Sequence, residues 1–171
     1  MKIGVFSDTH DQWDKIEQTI EIFLQKKVDK IIHCGDVISP FMVRPMKKLE
    51  GTGVEAIGVF GNNDGERAGM LKHFGETLQF KGDFYETVWD GKSIAIYHGT
   101  NPLLLKNIIK SQQYDLVCTG HTHQIQIKKE GRTIVLNPGT VSGFLADRST
   151  FAIVELNTEP LNTSAISIID I

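Results

Sequence analysis

Apolar residues are spaced along this chain in two alternating rhythms. Residues 3–7 form a short, almost continuous apolar run, as expected of a strand buried on both faces. Trp13, Ile16, Ile20, Phe23 and Leu24 then recur at helical spacing. A second run over 29–34 reads as a strand. Pro40 can open a helix at its first turn, and Phe41, Val43, Met46 and Leu49 populate that helix. A third strand is predicted over 54–60 and a weaker helix over 66–74. The order βαβαβ implies a parallel sheet.

The second half is richer in strands. Runs at 84–89 and 93–98 flank Asp90-Gly91, a hairpin signal. Residues 102–110 read as a short helix with Leu104, Leu105, Ile108 and Ile109 turned inward. A strand at 116–119 follows. Residues 124–128 and 133–136 flank Glu130-Gly131 as another hairpin, and 151–156 and 165–169 form a last pair around Pro160. The expected fold is α/β: a four-layer α/β/β/α sandwich of two mixed sheets flanked by helices, in a single domain spanning 1–171. No internal repeat, low-complexity tract or linker interrupts it.

Composition narrows the classes of function. At 171 residues the chain can bury a substantial core, since a domain of this size buries roughly 70% of its unfolded surface. A net charge of −3 offers no basic surface for nucleic acid or anionic lipid. Pairs such as Lys26-Lys27 and Lys128-Lys129 read as solvated faces. Cys34 and Cys118 lie in predicted strands and read as buried free thiols. No apolar run approaches the ~18 residues of a membrane span. The first residues fit no signal peptide, so a cytoplasmic location is expected.

Polar residues gather where the predicted strands end. In chain order these are Asp8-x-His10, Gly35-Asp36, Gly61-Asn62-Asn63-Asp64, His98-Gly99 and Gly120-His121-Thr122-His123. The carboxyl ends of parallel strands converge on one crevice, where ligands bind in open α/β sheets. Taken singly, each fragment has an ordinary explanation: an Asp as a helix cap, Gly-Asn-Asn-Asp-Gly as a plain turn, a strand-end histidine as a hydrogen-bonded one. Jointly, seven N and O donors in one crevice suit two divalent ions and hydrolysis of a phosphate ester. His33, inside a strand, reads as a satisfied core residue or a support for the site. His73, late in a helix, reads as exposed.

These fragments, extended to Ser7-Asp8-Thr9-His10, His33-Cys34-Gly35-Asp36-Val37, Gly61-Asn62-x-Asp64 and Asn137-Pro138-Gly139-Thr140-Val141-Ser142, together resemble the calcineurin-like metallophosphoesterase family. The short chain without a cap is similar to that family's small prokaryotic phosphodiesterase branch, which shares its fold with a metal-poor retromer subunit. The resemblance implies that one ion takes Asp8, His10, Asp36 and His123. A second takes Asp36, Asn62, His98 and His121, with Asp36 and a water or hydroxide bridging. It implies a phosphodiesterase acting through a metal-bound hydroxide, with catalytic work for Asp36, Asn62, Asn63 and Asp64. Two divalent ions outweigh two carboxylates, leaving a positive site that attracts a phosphate ester. Imidazole with carboxylate suits Mn²⁺, Ni²⁺, Fe²⁺ or Zn²⁺ better than Ca²⁺, and Mn²⁺ is the expected ion.

One departure from the family matters most for the chemistry. The usual Gly-Asn-His-Asp string has Asn63 in place of its histidine, which is thought to protonate the leaving group. An amide cannot transfer a proton near neutral pH, and general acid catalysis is worth roughly 10²–10⁴-fold. Asp64, the usual partner of that histidine, is expected to be free to orient an imidazole introduced at 63. Asn137, Gly139 and Ser142 match a loop beside the site, for which a substrate role and a plain turn are both open. Arg148 could clamp a phosphate or pair with Asp147 or another acid. The expected partner is a small-molecule phosphodiester, with no membrane and no specific nucleic-acid binding; a homo-oligomer is open. Two other readings stand: a non-catalytic protein-binding scaffold on the same fold, and a broad-specificity phosphatase or nuclease.

Overall fold

The computed structural model describes residues 1–171. Eleven strands and four α-helices follow one another as β1 (Lys2–Phe6), α1 (Trp13–Gln25), β2 (Lys30–His33), α2 (Val43–Met46), β3 (Glu55–Gly58), α3 (Arg67–Phe74), β4 (Gln79–Phe80), β5 (Phe84–Trp89), β6 (Lys92–Tyr97), α4 (Pro102–Lys110), β7 (Leu116–Cys118), β8 (Ile125–Glu130), β9 (Thr133–Pro138), β10 (Thr150–Glu155) and β11 (Ile166–Asp170). They form a six-stranded sheet in the order β11-β10-β1-β2-β3-β4 and a five-stranded sheet in the order β5-β6-β7-β9-β8. Strands β1 to β4 are mutually parallel, and β10 pairs antiparallel with β1. In the second sheet β6, β7 and β9 are parallel, and antiparallel β5 and β8 close its edges. Both sheets are therefore mixed.

Period-two alternation sorts the strand residues between cores. In β1, Ile3 and Val5 join Ile32, Ile57, Ile94, Leu116 and Ile134 in the core between the sheets. Phe6 points the other way, into a core with Ile16, Ile20, Phe23, Met46, Met70 and Phe74 of the first three helices. Ala95 and Val117, on the outer face of the second sheet, meet Leu105, Ile108 and Ile109 of α4. Three cores between four layers make the expected α/β/β/α sandwich. Burying each such isoleucine or phenylalanine contributes about 1.5–3 kcal/mol.

Three details differ from the sequence reading. The helix expected after Pro40 is broken into a 3₁₀ turn (Pro40–Met42), one α turn and a second 3₁₀ turn (Lys47–Leu49). Pro45 lies within it and has no N–H to donate. Phe41 stands 70% exposed. Strand β4 has no counterpart in the sequence reading; two residues carry no readable period. Leu104 is exposed rather than inward, so α4 rests on the sheet through Leu105, Ile108 and Ile109 alone. At the β5–β6 hairpin, Asp90 and Gly91 both take positive φ (52° and 74°), the geometry their sequence signals.

Candidate metal centre

The C-terminal ends of β1, β2, β3, β6 and β7 deliver the polar fragments to one side of the sandwich. Five of the seven proposed donors have left-handed backbone: Asp8 (φ 53°), His10 (42°), Asp36 (62°), His121 (69°) and His123 (58°). Such conformations cost non-glycine residues about 1–3 kcal/mol each and gather at functional sites. Glycine is needed where the loops cross. A Cβ on Gly61 would lie 2.1 Å from Asp36 Oδ1, and one on Gly120 would lie 2.0 Å from Ser7 Oγ.

The donor atoms converge. Asp8 Oδ1 lies 3.2 Å from His123 Nε2, 3.8 Å from His10 Nε2 and 4.0 Å from His98 Nε2. Asp36 Oδ2 lies 3.4 Å from His98 Nε2 and 3.7 Å from His10 Nε2. Asn62 Oδ1 is 3.2 Å from His98 Nε2. Two metal-holding groups result: Asp8 with His10 and His123, and Asp8 with Asp36 and His98. Asp8 thus belongs to both groups, and Asp36 also reaches both sides. His121 stands beside His98, ring centroids 5.2 Å apart, but outside both groups. Its backbone N–H donates to Asp8 Oδ2 at 3.1 Å.

Hydrogen bonding explains why these atoms face inward. His98 Nδ1 donates to the Cys34 carbonyl at 2.8 Å, and His123 Nδ1 to the Phe144 carbonyl at 2.5 Å. Each ring therefore turns Nε2 to the cleft, the arrangement by which metal-bound histidines are oriented. Asp8 Oδ1 is fully buried and has no hydrogen-bond partner. A buried carboxylate oxygen without a donor is costly, and a cation between the two groups would supply what it lacks. Acidic and imidazole donors of this kind fit two divalent ions.

Charges respond accordingly. Burial pushes the Asp8 carboxyl up, but His10, His123 and His98 outweigh it and hold the group well below the usual carboxylate range. Burial likewise opposes ionisation of Asp36, yet the bond and charge of His98 and two bonds from Asn63 bring it to about 2. Burial pulls His98 down, but Asp36 and Asp8 raise it overall. Asp8 raises His123.

Surrounding residues brace the centre. The buried His33 accepts the Gly35 N–H at Nδ1 (3.0 Å). Burial outweighs the nearby carboxylates and lowers its pKa to about 3, so the ring is neutral with its proton on Nε2. That proton goes to Thr9 Oγ1 (3.2 Å), which in turn donates to the Asp36 carbonyl (3.4 Å). Asn63 donates its backbone N–H to Asp36 Oδ1 and its side-chain amide to Oδ2, both at 2.8 Å. Asp64 is not free, contrary to expectation. It accepts N–H groups from Gly61 (2.7 Å), Ile38 (2.8 Å) and Asp36 (3.0 Å), pinning two loops together.

The residues proposed for substrate are turned to other work. Asn137 is buried; its amide donates to the Gly120 carbonyl and Thr122 Oγ1, and its oxygen accepts from Gly139 N. Ser142 Oγ accepts from Phe144 N, and its own N–H donates to the Asp8 carbonyl. Asn137 thus braces the histidine turn, Gly139 satisfies Asn137, and Ser142 ties the Asp8 loop to Phe144. Arg148 pairs with Asp170 at 3.1 Å, not with Asp147. Sequence reading missed Lys15, whose ammonium bonds Ser142 O and Ser149 Oγ, both at 2.7 Å. A lone lysine on a helix carries no signal of so distant a contact.

The calcineurin-like phosphoesterase superfamily domain matches residues 1–159 of the chain. A phosphodiesterase of Methanocaldococcus jannaschii is 38% identical over 158 residues, covering 91% of this chain and 93% of its own. The structure of an archaeal phosphodiesterase superposes with a TM-score of 0.86 at 36% identity, covering all of both chains. Vacuolar protein sorting 29 of Cryptosporidium parvum shares the fold, with a TM-score of 0.66 at 16% identity over 99% of this chain and 97% of its own. The chain belongs to the calcineurin-like phosphoesterase superfamily. Its paired Asp/His groups form the dinuclear, metal-dependent phosphoesterase site of that family.

Proposed function

We propose that this protein hydrolyses phosphodiesters of small molecules with two Mn²⁺ ions. The observation that carries the reading is the buried, unpartnered Asp8 Oδ1, facing three imidazole Nε2 atoms within 4.0 Å. Asp8, His10, Asp36 and His123 would hold one ion, and Asp36, Asn62, His98 and His121 the other. Bound, the ions supply an activated water and draw charge from the phosphate. The chain's own task is to place the ligands. His98 and His123 are oriented through their Nδ1 bonds, and Asn63 fixes the plane of the Asp36 carboxylate.

Position 63 governs which leaving groups can depart. No imidazole stands there, and the amide that does is bonded to Asp36. A leaving group must therefore depart without a proton from this residue, which favours esters with acidic leaving groups. The preference for diesters over monoesters is supported by the relatives, which are phosphodiesterases. No helix is long and apolar enough to cross a membrane. Cys34 and Cys118 are free thiols, which fits a reducing compartment, and the cytoplasm is the proposed location. The test is turnover of bis(p-nitrophenyl) phosphate and p-nitrophenyl phosphate, with Mn²⁺ and after chelation. Metal-dependent hydrolysis at least about tenfold faster for the diester supports the proposal. Equal or faster turnover of the monoester would contradict it.

A further inference from the structure

A loop spanning residues 143–148 projects beside the metal centre. Its stem is held from several sides. Lys15 bonds both Ser142 O and Ser149 Oγ, Phe144 N donates to Ser142 Oγ, and the Phe144 carbonyl accepts from His123. Arg148 is fixed by Asp170. At the tip, Leu145 has φ 56° and is 93% exposed. Nothing in the fold calls for a leucine there. Its side chain packs into no core, and left-handed backbone suits glycine or asparagine better. A strained, exposed apolar residue on a clamped loop next to a metal centre points to a ligand.

Beside this loop lies a cavity of about 310 Å³, lined among others by His123, Gln124, Ile125, Leu145, Ala146 and Arg148. That volume is at the small end of ligand pockets. His123 belongs both to the cavity wall and to the metal-holding group with Asp8 and His10. A phosphate held at the centre would have one ester arm within reach of the cavity. Ile125, Leu145 and Ala146 give the cavity an apolar side, while Gln124, Asp147 and Thr150 give it a polar rim and Arg148 stays paired with Asp170.

We propose that this cavity is the subsite for an aromatic arm of the phosphoester, an aryl or nucleoside group, with Leu145 as its wall. The proposal rests on the phosphodiesterase reading and names the substrate class within it. A flat ring with a polar rim matches the mixed lining. A small alkyl arm would leave the apolar wall wet.

Calorimetry on the Mn²⁺-loaded protein tests this without relying on turnover. Phenylphosphonate and methylphosphonate share the anion and differ in the arm. The wild-type protein should bind phenylphosphonate about tenfold more tightly. Leu145→Gly suits the backbone conformation and should fold; Ala146→Trp fills the cavity. Each should weaken phenylphosphonate about three- to tenfold, the range of a lost aromatic contact, and leave methylphosphonate within about twofold. Equal affinity for the two ligands in the wild-type protein would overturn the subsite, as would unchanged phenylphosphonate binding in both variants. Equal weakening of both ligands would also overturn it, since it places the damage at the metal centre. Failure of methylphosphonate itself to bind the wild-type protein would mark a failure of the phosphoesterase reading, and the subsite would fall with it.

Discussion

Asp64 tests how the metal loops are held in place. Its carboxylate accepts three backbone N–H groups, those of Gly61 and Asp36 buried and that of Ile38 partly exposed. Hydrogen bonds to a charged group contribute about 1.5–3 kcal/mol each. Water can replace the bond from Ile38, so the two buried bonds set the cost of Asp64→Ala at roughly 3–6 kcal/mol. Burial acts in the opposite sense, since it raises the Asp64 pKa and penalises the charged form. The loss should therefore fall near the lower end, about 3 kcal/mol, against a total stability of about 5–15 kcal/mol. Asp64→Asn can keep an oxygen where Oδ2 accepts both buried N–H groups and turns its NH₂ only toward Ile38 N–H, so it should recover more than half of the loss. Urea denaturation of the metal-free variants measures the cost. Because Asp64 binds the N–H of Asp36, Mn²⁺ affinity should also drop, by about 10–100-fold as for other residues that orient metal ligands. An Ala variant within about 1 kcal/mol of wild type, with unchanged Mn²⁺ affinity, would refute the reasoning.

Three further predictions concern the same site. In the metal-free protein, His98 and His123 have folded pKa values raised above the unfolded value of about 6.5. Their contribution is fully present below that pH and is lost as pH rises through the folded values; His33, lowered to about 3, acts in the opposite sense until the unfolded value is passed, so thermal scans should show a Tm that falls from about pH 7.5 upward, and a flat or rising profile there would contradict it. Asn63→His should raise monoester turnover by less than about tenfold, below the usual yield of a general acid, because Asp64 is already bonded and cannot orient the ring; a hundredfold gain in kcat would show that Asp64 rearranges. Asp36→Asn should abolish metal-dependent diester hydrolysis while circular dichroism stays unchanged, and retained turnover would place the chemistry elsewhere.

Much of this is legible in the sequence because strand ends are local events. Asp8-x-His10 and His121-Thr122-His123 each follow directly on an apolar run, so motif and element are read together. The layered fold follows from period alone. What escapes is set by contacts between distant segments. Asp64 looks free in the sequence because its partners, Ile38 and Asp36, lie a loop away. Asn137 looks like a substrate residue because its bonds to Gly120 and Thr122 link two strands that only the folded sheet brings together. Leu104 and Leu105 have the same hydropathy, and only the packing of α4 on Ala95, Tyr114 and Val117 separates them. The shared place of Asp8 in both metal-holding groups depends on distances that no motif encodes.

The proposed chemistry requires these side chains to hold two ions together. Anomalous diffraction from Mn²⁺-soaked crystals measures it directly. Two peaks are expected about 3.5–4 Å apart, between Asp8 and Asp36, flanked by His10 and His123 on one side and by Asn62 and His98 on the other. A single peak, or peaks away from Asp8 Oδ1, would contradict it.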